Sequence, residues 1–257
     1  MGVKDLFRLD GRVALITGGS RGLGLQMAEA LGEMGCRLAL TARKAEELEA
    51  ARLHLQAQGL EVLCIAGDLQ QTEDIPAMVQ QVMARYGQID ILVNNAGATW
   101  GAPAEDYPDA AWHKVMNLNV NAPFFLSREV GRCSMIPRQQ GKIINIASVA
   151  GLKGTAPGVH TIAYNTSKAA LINFTRTLAA EWGRYNINVN ALCPGFFPSK
   201  LSAGLLAQVQ DAVIARAPLH RIGGEEDLKG SVVFLASAAS RHITGQYLAV
   251  DGGSSIV

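Results

Sequence analysis

A tyrosine and a lysine four positions apart, Tyr164 and Lys168, form the pair with the clearest chemical potential in this sequence. They stand at the head of a helical stretch that runs to about residue 184, and side chains at i and i+4 share one helix face. A tyrosine with its ordinary pKa of about 10 is a poor base at neutral pH. A neighbouring ammonium would lower that pKa, so the spacing predicts an acid–base group. Taken alone, the spacing is equally typical of a surface helix.

A serine, Ser148, ends the apolar run that precedes this helix. Open α/β sheets place their sites at the carboxyl ends of the strands, where a hydroxyl can donate to a substrate carbonyl oxygen. A serine at a strand end also serves as an ordinary turn cap. Sixteen positions separate Ser148 from Tyr164, and we expect the loop within residues 153–163 to border the substrate.

A glycine-rich turn, TGGSRGLG at residues 17–24, joins the first apolar run to the first amphipathic stretch. Glycine lets the backbone turn sharply and approach a pyrophosphate, and the following helix offers unpaired N–H groups. The position of the turn between a strand and a helix favours nucleotide binding over a merely structural turn.

The end of the second apolar run predicts which dinucleotide is bound. NAD-binding units usually carry an acidic residue there, about 20 positions after the glycines, to bind the ribose 2′-hydroxyl. Here the position holds Ala42, followed by Arg43, and Arg21 lies in the glycine turn. Two guanidinium groups without a carboxylate suit a 2′-phosphate, so NADP(H) is predicted and NAD(H) is the second choice. The alternative is that both arginines are solvated, with Arg43 paired to Glu46 or Glu47.

Short apolar runs alternate with longer helical stretches along the whole chain. The runs are 13–17, 37–41, 61–66, 89–94, 142–147, 187–193 and 246–250, and the helical stretches are 26–34, 46–58, 75–86, 110–135, 162–184, 205–215 and 225–235. Runs that are apolar throughout suit strands covered on both faces. The alternation predicts an α/β fold, a doubly wound parallel sheet of about seven strands with helices on both faces. No composition break divides the chain, so we expect a single domain over residues 1–257.

The composition excludes several classes of protein. The chain has 257 residues, 49% hydrophobic and 18% charged, with a formal net charge of +1. Such a balance argues against a dedicated nucleic-acid binder and against disorder. We expect no membrane span and no secretion signal, because no apolar stretch is long enough for either. We expect no metal, because the five histidines lack ligand spacing, and no flavin. The four cysteines form no CxxC pair, which is typical of a cytoplasmic protein.

In its motifs the sequence resembles the short-chain dehydrogenases/reductases over essentially its whole length. The residues that carry this resemblance are TGGSRGLG at 17–24, Asp68, NNAG at 94–97, Asn119, Ser148, YNTSK at 164–168, PG at 194–195 and DGG at 251–253. The resemblance implies a Rossmann-type fold and four catalytic residues, which are Asn119, Ser148, Tyr164 and Lys168. It implies that Lys168 lowers the pKa of Tyr164 and binds the nicotinamide ribose, and that Asn119 holds a water behind Lys168.

The same resemblance implies the residues that bind the cofactor. They are Gly18, Ser20, Arg21, Gly22, Leu23, Gly24, Arg43, Asp68, Leu69, Asn95, Ala96, Gly97, Tyr164, Lys168, Pro194 and Gly195. Small residues in the NNAG segment would let the adenosine half lie against the backbone. Asp68 would bind the adenine amino group, although an aspartate in that position is as often a helix N-cap. The apolar stretch after Gly195 is interpreted as a substrate lid.

The implied activity is hydride transfer between NADP(H) and a ketone or secondary alcohol. The sequence is similar to 3-oxoacyl-carrier-protein reductases, which would make the substrate a 3-oxoacyl thioester, and to gluconate 5-dehydrogenases, which act on sugar acids. A non-catalytic dinucleotide sensor is the alternative of another class, and the intact catalytic quartet argues against it. A second alternative is a nucleotide-sugar epimerase or dehydratase on a related fold, but those proteins are generally longer than this chain and carry an added substrate domain. The apolar helices 110–135 and 162–184 predict self-association, which the resemblance implies is a homotetramer.

Overall fold

Seven short strands pair side by side in one parallel sheet. The computed structural model describes residues 2–156, 158–200 and 202–257. In chain order the strands are β1 (Val13–Thr17), β2 (Arg37–Ala42), β3 (Val62–Ala66), β4 (Ile91–Asn94), β5 (Gly141–Ile146), β6 (Ile187–Pro194) and β7 (Tyr247–Val250). Their spatial order is β3-β2-β1-β4-β5-β6-β7. The predicted doubly wound α/β fold is confirmed, and each strand begins and ends within two residues of its predicted bounds.

Ten α-helical segments within the described ranges connect and cover the strands. They are α1 (Val3–Phe7), α2 (Gly22–Glu33), α3 (Ala45–Ala57), α4 (Ile75–Tyr86), α5 (Asp109–Met116), α6 (Ala122–Val130), α7 (Ile136–Arg138), α8 (Ile162–Trp182), α9 (Ala203–Arg216) and α10 (Lys229–Ala236). Helix α1 was not predicted. Helix α2 begins inside the glycine-rich turn rather than at Gln26, so two of its first three residues are glycine.

Alternate residues of each strand pack on opposite faces of the sheet, which explains why the strands are apolar throughout. On β1, Ala14 and Ile16 belong to a core with α2, α3 and α10. Val13 and Leu15 belong to a second core with α4, α6 and α8. The helices therefore cover both faces, as a parallel sheet requires.

The helical stretch predicted at 110–135 is not one continuous helix. Wider π-helical turns at Asn117–Asn121 and Gly131–Met135 separate α5, α6 and α7. Each turn ends two residues before a proline, Pro123 or Pro137. Proline has no N–H to donate to the carbonyl four residues earlier, and local widening of the helix accommodates it. As a result, the backbone carbonyl of Asn119 has no i+4 donor.

The order of the strands places the candidate residues at one edge. The chain leaves β1 for β2 on one side and returns from β3 to β4 on the other, so a crevice opens where β1 and β4 end. The glycine-rich turn follows β1, residues 95–97 follow β4, and Ser148 follows β5. Within the described ranges, no helix combines the length and apolarity needed to cross a bilayer.

Candidate active site

The predicted acid–base pair lies beside the predicted serine at the carboxyl end of β5. Helix α8 begins at Ile162, so Tyr164 and Lys168 occupy its first two turns. The Lys168 Nζ atom lies 5.6 Å from the centroid of the Tyr164 ring. It donates a hydrogen bond of 2.7 Å to the carbonyl oxygen of Ile146, the last residue of β5. This bond ties the head of α8 to the strand that carries Ser148.

Ser148 has the capping role that its position suggested as an alternative. Its Oγ accepts a 3.1 Å hydrogen bond from the backbone N–H of Ala150 and so caps the short turn Val149–Gly151. The capping interaction uses the oxygen only as an acceptor, and the hydroxyl proton remains available for donation. The turn holds the side chain in place, and donation to a substrate oxygen stays a prediction.

Burial dominates the electrostatics of the pair. It lowers the pKa of Lys168 from 10.5 to about 8, with a small opposing effect of Cys193. Burial also raises the pKa of Tyr164, which the interaction with the Ser148 hydroxyl partly opposes. The expectation that Lys168 lowers the pKa of Tyr164 is therefore not met in this structure. The ammonium lies against the ring and donates to Ile146, so its charge is not directed at the phenol oxygen.

Asn119 is buried and its side chain is fully engaged as a donor. Its Nδ2 donates to the carbonyl of Ala98 and to the Oγ of Ser167, each at 2.9 Å. Its Oδ1 accepts from the N–H of Ala98 at 2.8 Å. The amide thus links Ala98 to Ser167 on α8, a structural contact that was not predicted from the sequence. If a water is held here, the backbone carbonyl of Asn119, which lacks its helical donor, is the better acceptor.

The glycine-rich turn is braced by the segment after β4. Asn95 Nδ2 donates to the carbonyls of Thr17 and Gly18, at 2.9 and 3.2 Å. The Thr17 hydroxyl in turn accepts from the N–H groups of Asn95 and Ala96, both at 2.9 Å. The side chain of Asn95, predicted to bind the cofactor, therefore holds the turn in shape.

The turn itself has the geometry of a phosphate cradle. Gly18 and Gly22 have φ values of +63° and +52°, which favour glycine. A Cβ on Gly24 would collide with the Gly18 carbonyl, so the helix packs directly on the turn. No side chain caps α2, and its N-terminal N–H groups stay available for an anion. Ser20 is buried, whereas Leu23 is only partly buried.

Gly97 forms the floor between this turn and the acid–base pair. A Cβ there would lie 3.3 Å from Asn119 Oδ1 and 3.7 Å from Lys168 Nζ. Glycine thus keeps open the space in front of the lysine. Together with the uncapped helix, this backbone surface fits a dinucleotide whose pyrophosphate meets α2 and whose nicotinamide half reaches Lys168.

The predicted 2′-phosphate site contains the expected cations and an unexpected carboxylate. Arg21 Nη1 lies 3.2 Å from Glu47 Oε1, and Lys44 Nζ lies 3.6 Å from the same oxygen. Arg43 is exposed and makes no ion pair with any described residue. The alternative that paired Arg43 with Glu46 or Glu47 is therefore wrong, because it is Arg21 that pairs with Glu47. Neither the proximity of Lys44 nor the pairing of Arg21 with Glu47 was predicted from the sequence. Lys44 directly follows Arg43, and Glu47 was considered only as a partner of Arg43.

Asp68 and Leu69 follow β3 at the rim of the same edge. Asp68 Oδ1 accepts from the N–H of Gln70 at 3.0 Å within the turn that follows β3. The next helical turn begins at Thr72 with Gln71 as its N-cap residue, so the alternative that Asp68 is a helix N-cap is wrong. Asp68 Oδ2 has no hydrogen-bond partner in the described part of the protein, so it remains free for an amino group. Leu69 is buried and can contribute at most a backbone contact.

Pro194 and Gly195 close the site on the β6 side. Pro194 is the last residue of β6, and Gly195 donates its N–H to the carbonyl of Val250 at 3.0 Å. A Cβ on Gly195 would lie 2.8 Å from the Cα of Asp251. Glycine is therefore required there by packing against the end of β7. Beyond it, the Cβ of Ser199 lies 3.9 Å from the Cβ position of Gly22, which places the predicted lid next to the glycine turn.

The loop between Ser148 and Tyr164 is tied at both ends to other parts of the site. The carbonyl of His160 accepts from the N–H of Ala102 at 3.2 Å. Lys153 Nζ donates to the carbonyls of Ser254 and Val257, the latter at 3.3 Å. The loop thus lies between residues that follow β4 and residues that follow β7. Pro157 and Leu201 lie outside the described residues.

This constellation, on this fold, defines a nicotinamide-dependent oxidoreductase. The family model for the short chain dehydrogenase matches residues 12–210. Gluconate 5-dehydrogenase from Gluconobacter oxydans (strain 621H) is 39% identical over 98% of both chains. The rhamnolipid-biosynthesis 3-oxoacyl-[acyl-carrier-protein] reductase of Pseudomonas aeruginosa is 38% identical over 96% of this chain and 97% of the other.

One solved structure has about the same sequence identity to this chain as the two enzymes above. The gluconate 5-dehydrogenase from Burkholderia cenocepacia J2315, in complex with NADP and tartrate, superposes with a TM-score of 0.93 at 37% identity, covering 100% of both chains. The chain belongs to the short-chain dehydrogenase family, as its motifs predicted. It is an NAD(P)-dependent oxidoreductase that acts on CH–OH groups.

Proposed function

We propose that the protein interconverts a ketone and a secondary alcohol with NADP(H), using Tyr164 as the proton donor and acceptor. The observation that carries this proposal is the convergence of Tyr164, Lys168 and Ser148 at the carboxyl end of β5, in front of Gly97. A dinucleotide sensor without catalysis would not need these three groups together. In this proposal Asn95 braces the glycine turn and Leu69 offers only its backbone, and the other residues predicted to bind the cofactor keep that assignment.

Each residue of the site has a part that follows from its contacts. The bound nicotinamide supplies or accepts the hydride. The Ser148 hydroxyl, held by Ala150, donates to the substrate oxygen and stabilises the negative charge that develops there. Tyr164 transfers its phenol proton to that oxygen during reduction and takes it back during oxidation.

Lys168 acts from behind the tyrosine. With a pKa of about 8, it is mostly an ammonium at neutral pH and serves as a hydrogen-bond donor at this end of the site. Its position beside Gly97 also lets it donate to a ribose hydroxyl. The carbonyl of Asn119 would hold the water that returns the proton to this end of the site.

We propose NADP(H) rather than NAD(H) as the preferred cofactor. The support comes from Arg21, Arg43 and Lys44 around the end of β2, where Ala42 stands in place of a carboxylate. The similar enzyme from Burkholderia cenocepacia has NADP in its structure. Dissociation constants for NADPH and NADH, measured by quenching of protein fluorescence, test the preference. Tighter binding of NADH would contradict it.

A sugar acid is the substrate class that we favour. Gluconate 5-dehydrogenase is among the similar enzymes, and the loop that borders the site carries the polar residues Lys153, Thr155 and His160. The second candidate is a 3-oxoacyl thioester, which is supported by the similarity to the Pseudomonas aeruginosa reductase and by the apolar residues of the lid. Oxidation of NADPH with 5-keto-D-gluconate, compared with an acetoacetyl thioester at equal concentration, separates the two.

We further propose one domain for the whole chain, a homotetrameric assembly and a cytoplasmic location. Phe124 on α6 is 43% exposed and packs edge-on against Phe174 of α8, with 6.2 Å between ring centroids. An exposed phenylalanine that packs on a partly buried one of the adjacent helix supports pairing with another subunit. All four cysteines are unpaired, which suits a reducing compartment.

A further inference from the structure

Glu47 stands where it can interfere with a 2′-phosphate. It lies in the first turn of α3, and its Oε1 is shared by Arg21 and Lys44 at 3.2 and 3.6 Å. Its side chain is 26% exposed, whereas those of Arg21 and Lys44 are about half exposed, at 49% and 56%. A carboxylate thus contacts two of the three cations proposed to bind the 2′-phosphate.

We propose that Glu47 is a specificity-determining residue that competes with the 2′-phosphate for Arg21. The inference rests on the proposed preference for NADP(H). A guanidinium binds a phosphate best when both of its donor edges are free, and Glu47 occupies one of them. The phosphate also carries close to two negative charges, so a nearby carboxylate repels it. NADH has a hydroxyl at this position and experiences neither effect. Glu47 therefore weakens NADP(H) binding selectively and keeps the two cofactors closer in affinity.

A purely structural role for Glu47 makes a different prediction. An acidic residue in the first turn stabilises a helix through its dipole, and Glu46 occupies the same turn with the same charge. Glu46 is exposed and makes no ion pair with any residue that the structure describes. If helix stabilisation were the whole role, replacing either glutamate would lower the melting temperature alike and leave the ratio of cofactor affinities unchanged.

The test compares Glu47→Gln with the matched control Glu46→Gln. Dissociation constants for NADPH and NADH are measured by fluorescence titration at about 20 mM and 300 mM salt. An exposed ion pair contributes up to about 1 kcal/mol, or about fivefold in affinity. We expect E47Q to bind NADPH about three- to fivefold more tightly at low salt, with NADH unchanged within about 1.5-fold. The gain shrinks at high salt because the charges are screened, and E46Q behaves as wild type.

A double-mutant cycle tests whether Arg21 is the residue through which Glu47 acts. In the Arg21→Ala background, E47Q is expected to improve NADPH binding by less than half of the effect seen with Arg21 present. An equal improvement in both backgrounds, or equal effects of E47Q and E46Q, overturns the proposal. Wild-type protein that binds NADH more tightly than NADPH overturns the proposed cofactor preference instead, so the two failures are distinguishable.

Discussion

Replacing Lys168 by methionine should abolish turnover without destabilising the protein. Methionine keeps most of the side-chain volume and removes the buried charge. Burial lowers the pKa of Lys168 from 10.5 to about 8, which corresponds to a cost of roughly 3 kcal/mol at about 1.36 kcal/mol for each pKa unit. Loss of the hydrogen bond to the Ile146 carbonyl costs about 1–3 kcal/mol. We therefore expect Lys168→Met to be as stable as wild type at pH 7, or up to about 2 kcal/mol more stable.

The pH dependence of stability identifies the cause. The pKa of Lys168 is lower in the folded than in the unfolded protein, so its unfavourable contribution is fully present below pH 8 and vanishes as the pH rises towards 10.5. Methionine has no such dependence. Relative to wild type, the free energy of unfolding of Lys168→Met should fall by about 2 kcal/mol between pH 7 and pH 9.5. Urea unfolding followed by circular dichroism at both pH values measures this difference.

Lys142 provides a matched control. Burial lowers its pKa to about 8 as well, but it lies at the amino end of β5 and donates to Ser240 at 3.3 Å, far from Ser148. Lys142→Met should show a pH-dependent change in stability of the same sign while keeping its kcat. For Lys168→Met we expect a loss in kcat of at least about 100-fold. A variant that is more than about 2 kcal/mol less stable than wild type at both pH values would refute the reasoning.

Three further predictions concern the proton donor, the cofactor and the assembly. Tyr164→Phe should lose at least about 100-fold in kcat and keep its NADPH dissociation constant, because only the proton-transferring hydroxyl is removed. A variant that keeps more than about a tenth of the wild-type kcat would contradict this role. Ala42→Asp should raise kcat/KM with NADH relative to NADPH by at least about tenfold, because a carboxylate accepts a hydrogen bond from the 2′-hydroxyl and repels the phosphate. An unchanged ratio in paired steady-state assays would disprove the proposed position of the phosphate. Light scattering at micromolar concentration should give about four times the chain mass of 27.3 kDa, and a single-chain mass would count against the tetramer.

Much of the fold and the position of the site follow from local patterns. Strands buried on both faces need apolar residues throughout, and residues 13–17 already show this in the sequence. The pairing of Tyr164 with Lys168 is a consequence of helix geometry over a single turn, so the i, i+4 spacing was sufficient to predict it. The glycines at residues 18 and 22 likewise predicted a sharp turn, because positive φ angles are nearly restricted to glycine.

The tertiary structure decided which partner each polar side chain takes. The amide of Asn119 binds Ala98 and Ser167, Lys168 donates to Ile146, and Arg21 meets Glu47 across 26 positions of sequence. The same applies to the pKa of Tyr164, which burial raises although a lysine stands one turn away. Periodicity and residue type act over one or two turns of chain, so the sequence by itself determined the elements and the edge at which they converge. Hydrogen-bond partners and burial depend on how separate elements pack against one another, and only the assembled sheet and its helices determine that.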